Sequence, residues 1–398
     1  MCQRNDAHSH TQPRNHVTHT HPTSRRDFLR LLTGTTLAGA SVLELAVHRA
    51  AWASAAAPTA DSNLFDIHKA AEGVYFAQAR PRAVINCNSA IFVRSKDVVV
   101  VDSHSLPSSA AALLAQIRRE VTSKPVRYLI NTHFHADHTQ GNHAYQQTGH
   151  KVDIIATTPT KKLLEDLALT RLKDSIDAVP QQIELLRKRS EASSSSAEKA
   201  FCADQIRQLR EYQAEMKNFT LDLPTITFDK TYLLADPAFD LHLSFHGRAH
   251  TSGDLFTYCP QRSALATGDA SHCFLPNIAD GYPRLWPKTI DEVAQIRFNH
   301  FLGGHGPMQP NNSVMLNQRN FIEELVEKVE AGKRAGRTLD EMKQLLPVAS
   351  LKSLQSNGYA DFLVRSLTEG LPTFGPRPAL QNDVNDCIRD TYNNLDRT

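Results

Sequence analysis

The residues best equipped for chemistry stand in one run, Asn131-Thr132-His133-Phe134-His135-Ala136-Asp137-His138-Thr139. Imidazole and carboxylate are the side chains that hold zinc or iron while leaving a coordination position open to water. In an extended segment residues two apart project to the same side, so His133 and His135 can reach one ion. Asp137 and His138, on the turn that follows, can then face a second ion a short distance away. Three further candidates each sit in a turn after an apolar strand. They are His250 in Arg248-Ala249-His250-Thr251-Ser252-Gly253-Asp254, Asp269 in Thr267-Gly268-Asp269-Ala270, and His305 in Gly303-Gly304-His305-Gly306. Histidine is abundant, at 19 of 398 residues, so most copies need another explanation. His143, His150, His242, His246 and His300 read as surface or hydrogen-bonded residues.

These residues need strands that end where they begin. Short β-branched or apolar runs at 74–79, 90–94, 98–101, 126–130 and 152–156 read as strands, and so do 225–228, 241–245, 255–258 and 264–266. A helical pattern through Ala110, Leu113, Leu114 and Ile117 separates two of them. The cluster at 131–139 follows the strand at 126–130 directly, and the C-terminal ends of strands are where α/β folds place chemistry. A long helical region, about 159–218, is broken by the Ser-rich stretch 191–196 and so predicts an inserted helical hairpin. From about residue 317 the chain reads as helical, with Phe321, Leu325 and Val329 four apart, and Thr338-Leu339-Asp340-Glu341 has the form of a capping box.

The combination His-x-His-x-Asp-His with His250, Asp269 and His305 resembles the metallo-β-lactamase-fold hydrolase superfamily over about residues 68–310. The resemblance implies an αββα sandwich, here with the helical hairpin and C-terminal helices added. It implies His133, His135 and His250 on a first metal, Asp137, His138 and His305 on a second, and Asp269 between them. Asp102, closing the strand at 98–101, would support the metal loop from behind. The implied reaction is hydrolysis by a hydroxide bridging two zinc ions, with Asp137 orienting it and passing a proton to the leaving group. The bond would be an ester, lactone, thioester or amide, β-lactams included. Two alternatives remain: a mononuclear iron enzyme resembling the persulfide dioxygenases, and a non-catalytic periplasmic metal-binding protein. Asp at 269, where many zinc β-lactamases carry Cys, is similar to the glyoxalase and lactonase branches. His272 stands where relatives carry a cation for the substrate, and the loop 274–288, with Asn277 and Arg284, is expected to wall the pocket.

The rest of the chain sets its class and its address. Lys and Arg number 44 against 42 Asp and Glu, without the basic excess that a nucleic-acid surface requires. No run of about 20 apolar residues exists to span a bilayer, so neither nucleic acid nor a permanent membrane anchor is expected. Residues 24–57 run from Ser24-Arg25-Arg26-Asp27-Phe28-Leu29 through a weakly apolar stretch to Ala51-Trp52-Ala53. That is the form of a twin-arginine export signal, and it predicts a bacterial periplasmic or secreted protein that meets the export machinery. The expected organisation is 1–53 signal and polar tail, 54–316 catalytic domain and 317–398 helical extension. Removal of residues 1–53 leaves 38 basic and 39 acidic side chains and five cysteines, an odd number with no Cys-x-x-Cys pair. The oligomeric state is not legible from the sequence.

Overall fold

The computed structural model describes residues 64–368 and 380–397. The twin-arginine segment lies outside the described residues.

Two sheets face each other. The first holds seven strands in sequential order: β1 (Phe65–Ala71), β2 (Val74–Ala79), β3 (Ser89–Val93), β4 (Val98–Val101), β5 (Val126–Ile130), β6 (Asp153–Thr157) and β7 (Ile226–Phe228). The first four are antiparallel neighbours, and β4 to β7 pair in parallel. The second sheet runs in the order β12 (His300–Gly303), β11 (Ala264–Gly268), β10 (Phe256–Cys259), β9 (Leu241–Ser244) and β8 (Thr231–Leu234).

Strand periodicity assigns residues to layers. In β4, Val99 and Val101 face the second sheet and join Leu241, Leu243, Ala264, Ala266 and Leu302 in the central core. Val98 and Val100 face the other way, onto Ala110, Leu113 and Ile117 of helix α1 (Pro107–Glu120). That is why all four valines are buried and the strand shows no polar alternation. Behind the second sheet, Phe256, Leu265 and Phe301 pack against Trp286 and Ile290 and against Phe321, Leu325 and Val329. The result is the four-layer αββα sandwich.

Two short helices carry the chain past the end of β5, α2 (Ala136–Thr139) and α3 (Asn142–Gln146). The inserted hairpin follows β6. Its helices, α4 (Thr158–Ala192) and α5 (Ser196–Met216), bury Leu172, Val179, Leu186, Phe201, Leu209 and Tyr212 between them, and Val84 and Leu106 join that cluster from the body. The Ser-rich break works as expected, for Ser195 caps α5 by accepting from the amide of Glu198 at 3.3 Å. Trp286 opens α6 (Trp286–Val293), and α7 (Ser313–Arg334) packs on the second sheet. The remaining helices are α8 (Leu339–Leu345), α9 (Lys352–Gln355), α10 (Tyr359–Thr368) and α11 (Leu380–Asn394). Thr338 and Glu341 close a reciprocal capping box on α8.

Among the described residues no helix is long and apolar enough to cross a membrane. The five described cysteines, Cys87, Cys202, Cys259, Cys273 and Cys387, are buried free thiols.

Candidate metal centre

The centre forms at one end of the sandwich, from segments that leave both sheets. β5 runs into residues 131–138, His250 precedes β10, Asp269 directly follows β11, and His305 lies just beyond β12. The residues that close β5, β11 and β12 are buried, so strand packing fixes where the polar groups after them begin.

Two groups of potential ligands face the centre, and a third, Cys87, Asp102 and His138, shares His138 with the second. In the first, His133, His135 and His250 bring ring nitrogens within 4.8 Å of one another, and His250 Nε2 lies 2.9 Å from His135 Nδ1. In the second, Asp137, His138, Asp269 and His305 do the same. His305 Nε2 stands 3.1 Å from Asp137 Oδ2 and 3.3 Å from Asp269 Oδ2, and His138 Nε2 stands 3.5 Å from Asp269 Oδ1. Asp269 also lies 3.9 Å from His250 Nε2, which sets it between the groups.

The outer nitrogens of four histidines determine what their inner nitrogens can do. His250 Nδ1 donates to the Asn277 carbonyl at 2.9 Å, and His138 Nδ1 donates to Asp102 Oδ2 at 2.8 Å. His135 Nε2 donates to Asp280 Oδ2 at 2.8 Å. Thr132 Oγ1 gives its proton to Asp102 Oδ2, so at 3.0 Å it accepts from His133 Nδ1. A neutral imidazole with one N–H committed outward presents a lone pair inward. The lone pairs of His133, His135 and His250 and two carboxylates therefore converge, His138 Nε2 adds a fourth lone pair when its proton is displaced, and His133 Nε2, His138 Nε2 and Asp269 Oδ1 are buried without a hydrogen-bond partner. Divalent cations satisfy such a donor set.

Electrostatics divides the groups in the same way. Burial, followed by the neighbouring charges of His138, His250 and His135, holds His133 well below the ordinary imidazole range, and burial pushes His250 down to about 3. In the second group burial opposes charge but is outweighed. Asp137 and Asp269 hold His138 well up, and the same carboxylates bring His305 to about 9. Both carboxylates sit well below their usual range, because His138 and His305 outweigh burial.

Asp102 supports the loop from behind. It accepts from the Thr132 amide at 2.8 Å, from the Thr132 hydroxyl and from His138, and it sits in the left-handed region at φ 67°. Aspartate tolerates that conformation better than most side chains. Gly304 is required by proximity, since a Cβ there would overlap Asp269 Oδ1.

The remaining expected residues are placed differently. His272 is buried with its ring 5.6 Å from that of His305, and its Nδ1 accepts from the Phe274 amide at 3.1 Å. Asn277 acts through its carbonyl on His250, while its side chain accepts from the Ala279 amide at 3.1 Å. Arg284 is engaged away from the ligands, donating to the Leu395 carbonyl at 2.8 Å and to Glu330 at 3.2 Å. His143 pairs with Asp222 at 2.7 Å and His246 with Ser244 at 2.9 Å. Two residues were not singled out by the sequence: Asp280, which meets His135, and Arg171, which meets Asp280. Asp280-Gly281 reads only as a turn, and Arg171 is one more charge on a polar helix.

The sequence model of the metallo-beta-lactamase superfamily matches residues 82–299, more than half of the chain. The chain belongs to the metallo-β-lactamase superfamily. At superfamily level it is a metal-dependent hydrolase with a divalent metal cofactor, and its clustered His and Asp residues are suited to bind one. Among solved structures it is similar to a metallo-beta-lactamase from Pontibacter korlensis, at 18% identity and TM-score 0.48, over 65% of this chain and 99% of that one. It is also similar to the crystal structure of DIM-1 metallo-beta-lactamase, at 14% identity and TM-score 0.47, over 65% and 97% of the two chains.

Proposed function

We propose that this superfamily member is a binuclear zinc hydrolase that cleaves an ester, lactone, thioester or amide bond in a small-molecule substrate. The observation that carries the reading is the inward lone-pair array. Four histidines commit their outer nitrogens to fixed partners, which leaves each inner nitrogen for a metal, and Asp269 lies between the two groups. His133, His135 and His250 would hold one ion and Asp137, His138 and His305 the other, with Asp269 shared. Bound there, two divalent ions would lower the pKa of water toward neutrality and polarise a scissile carbonyl. The protein's own groups do the rest. Asp137, held as a carboxylate by His138 and His305, orients the attacking water and carries a proton to the leaving group. Asp102 fixes His138 against rotation through its Nδ1. β-Lactams belong in the substrate panel because the chain belongs to the metallo-β-lactamase superfamily. Export by the twin-arginine route to the periplasm is part of the same reading, and it rests on Arg25-Arg26 and the weakly apolar run after them.

The test is elemental mass spectrometry on the chain from residue 54, purified without chelator or histidine tag. About two zinc ions per chain and turnover within a panel of lactones, thioesters and β-lactams are expected. One iron per chain with oxygen consumption would overturn the reading.

A further inference from the structure

The segment 276–280 touches two of the three histidines of the first group. Its Asn277 carbonyl takes the Nδ1 proton of His250, and its Asp280 carboxylate takes the Nε2 proton of His135. Neither contact would persist if the segment moved, and it is held from two sides by elements added to the sandwich. From the C-terminal helix α11, Asn394 Nδ2 donates to the carbonyls of Ile278 at 2.8 Å and Ala279 at 2.9 Å, and the Cys387 thiol donates to the Pro276 carbonyl at 3.3 Å. From helix α4 of the inserted hairpin, Arg171 meets Asp280 with both guanidinium nitrogens, each at 2.8 Å from a different carboxylate oxygen. The Arg171 guanidinium also lies 4.7 Å above the ring of Phe134, the residue between His133 and His135.

We infer that Asp280 is a positioning residue for His135, and that Arg171 of the inserted hairpin fixes Asp280 in that task. The inference rests on the reading of His135 as a metal ligand. A two-pronged arginine leaves a carboxylate one orientation, which a single-point cation does not. Oriented in this way, Asp280 Oδ2 fixes the ring plane of His135 and its tautomer, and the lone pair at Nδ1 points towards His250 Nε2. The Arg171 guanidinium, 2.8 Å from each carboxylate oxygen, is the counter-charge that pairs with Asp280 as a carboxylate. An anionic acceptor also raises the basicity of the imidazole it holds. The hairpin thus acts on the ion of the three-histidine group without supplying a ligand.

The experiment compares zinc affinity and stoichiometry, by competition with a chromogenic chelator, in wild type, Asp280→Asn and Arg171→Lys. The cobalt d–d spectrum reports ligand geometry, and thermal melting of the zinc-free proteins reports the fold. Removing a partner of this kind typically weakens a metal by about 10–100-fold. That loss is expected for one ion only in Asp280→Asn, with an altered cobalt spectrum and a zinc-free protein that melts at a lower temperature but still cooperatively. Arg171→Lys, which keeps the charge but not the fork, is expected to weaken the same ion by a smaller factor. It carries the comparison alone if Asp280→Asn does not fold. Wild-type affinity and spectrum in the folded variants, with wild type itself binding metal, would overturn the inference and leave the proposed function standing. A wild-type chain that takes up no divalent ion would overturn both.

Discussion

A histidine has two ring nitrogens, and in this centre the chemistry of the inner one is set by what holds the outer one. The consequence is testable through pH. His133 and His250 are held low by burial, so protons do not compete for them in the neutral range. His138 and His305 are raised by Asp137 and Asp269, so protons compete there as pH falls. Metal uptake by the second group therefore releases protons, and its affinity falls with acidification. Dialysis at stepwise lower pH followed by metal analysis should show one ion leaving first, at the Asp137–His138–His305 position, with the three-histidine ion retained further down. Simultaneous loss of both would contradict this division. Gly304→Ala forces a methyl group into Asp269 Oδ1; reduced metal stoichiometry is expected, with a drop in activity of the same proportion. At this scale the sequence was informative where spacing carries chemistry, as in His133 to His138. It was silent on Asp280 and Arg171, because a contact between residues 109 positions apart leaves no local pattern.

Elements were legible to the extent that their periodicity was strong. The strands β2, β4 and β5 fall where the apolar runs place them, and the hairpin breaks at its serines. β1 and β8 were missed for a physical reason: each takes its shape from sheet partners rather than from its own pattern. β8 alternates exposed and half-buried residues until Leu234, whereas β12, the short apolar strand expected before His305, is present. Sheet propensity depends on context of this kind. The hairpin is predicted to be a cooperative part of the structure, because Phe201 is buried among Leu186, Leu209 and Tyr212. Phe201→Ala should destabilise by about 3–5 kcal/mol, measured by urea denaturation; an effect below about 1 kcal/mol would mean the hairpin is only loosely docked.

At the scale of the whole molecule the centre joins the two sheets, since its ligand groups come from β5 on one side and from the ends of β11 and β12 on the other. A ligand that binds only the folded chain raises stability by mass action, about 4 kcal/mol at a free concentration 1,000 times its Kd. Zinc is therefore expected to raise the melting temperature in a concentration-dependent way, and a chelator to lower it to a common floor. In His133→Ala the shift from zinc should shrink, because one ion has lost a ligand. A melting temperature indifferent to zinc would argue against ion binding between the sheets.

The five buried thiols have a bearing on where such a chain can work. Their pKa values, where shifted, are raised by burial, with Cys87 and Cys273 brought to about 12, so almost no thiolate is available to attack a disulfide or an oxidant. No described crosslink has to form for the fold to close, and no exposed sulfur among the described residues invites a wrong one. While the fold holds, these five thiols are therefore poor nucleophiles towards an oxidant or a disulfide. The folded body can be completed under reducing conditions and operate under oxidising ones with the same covalent structure.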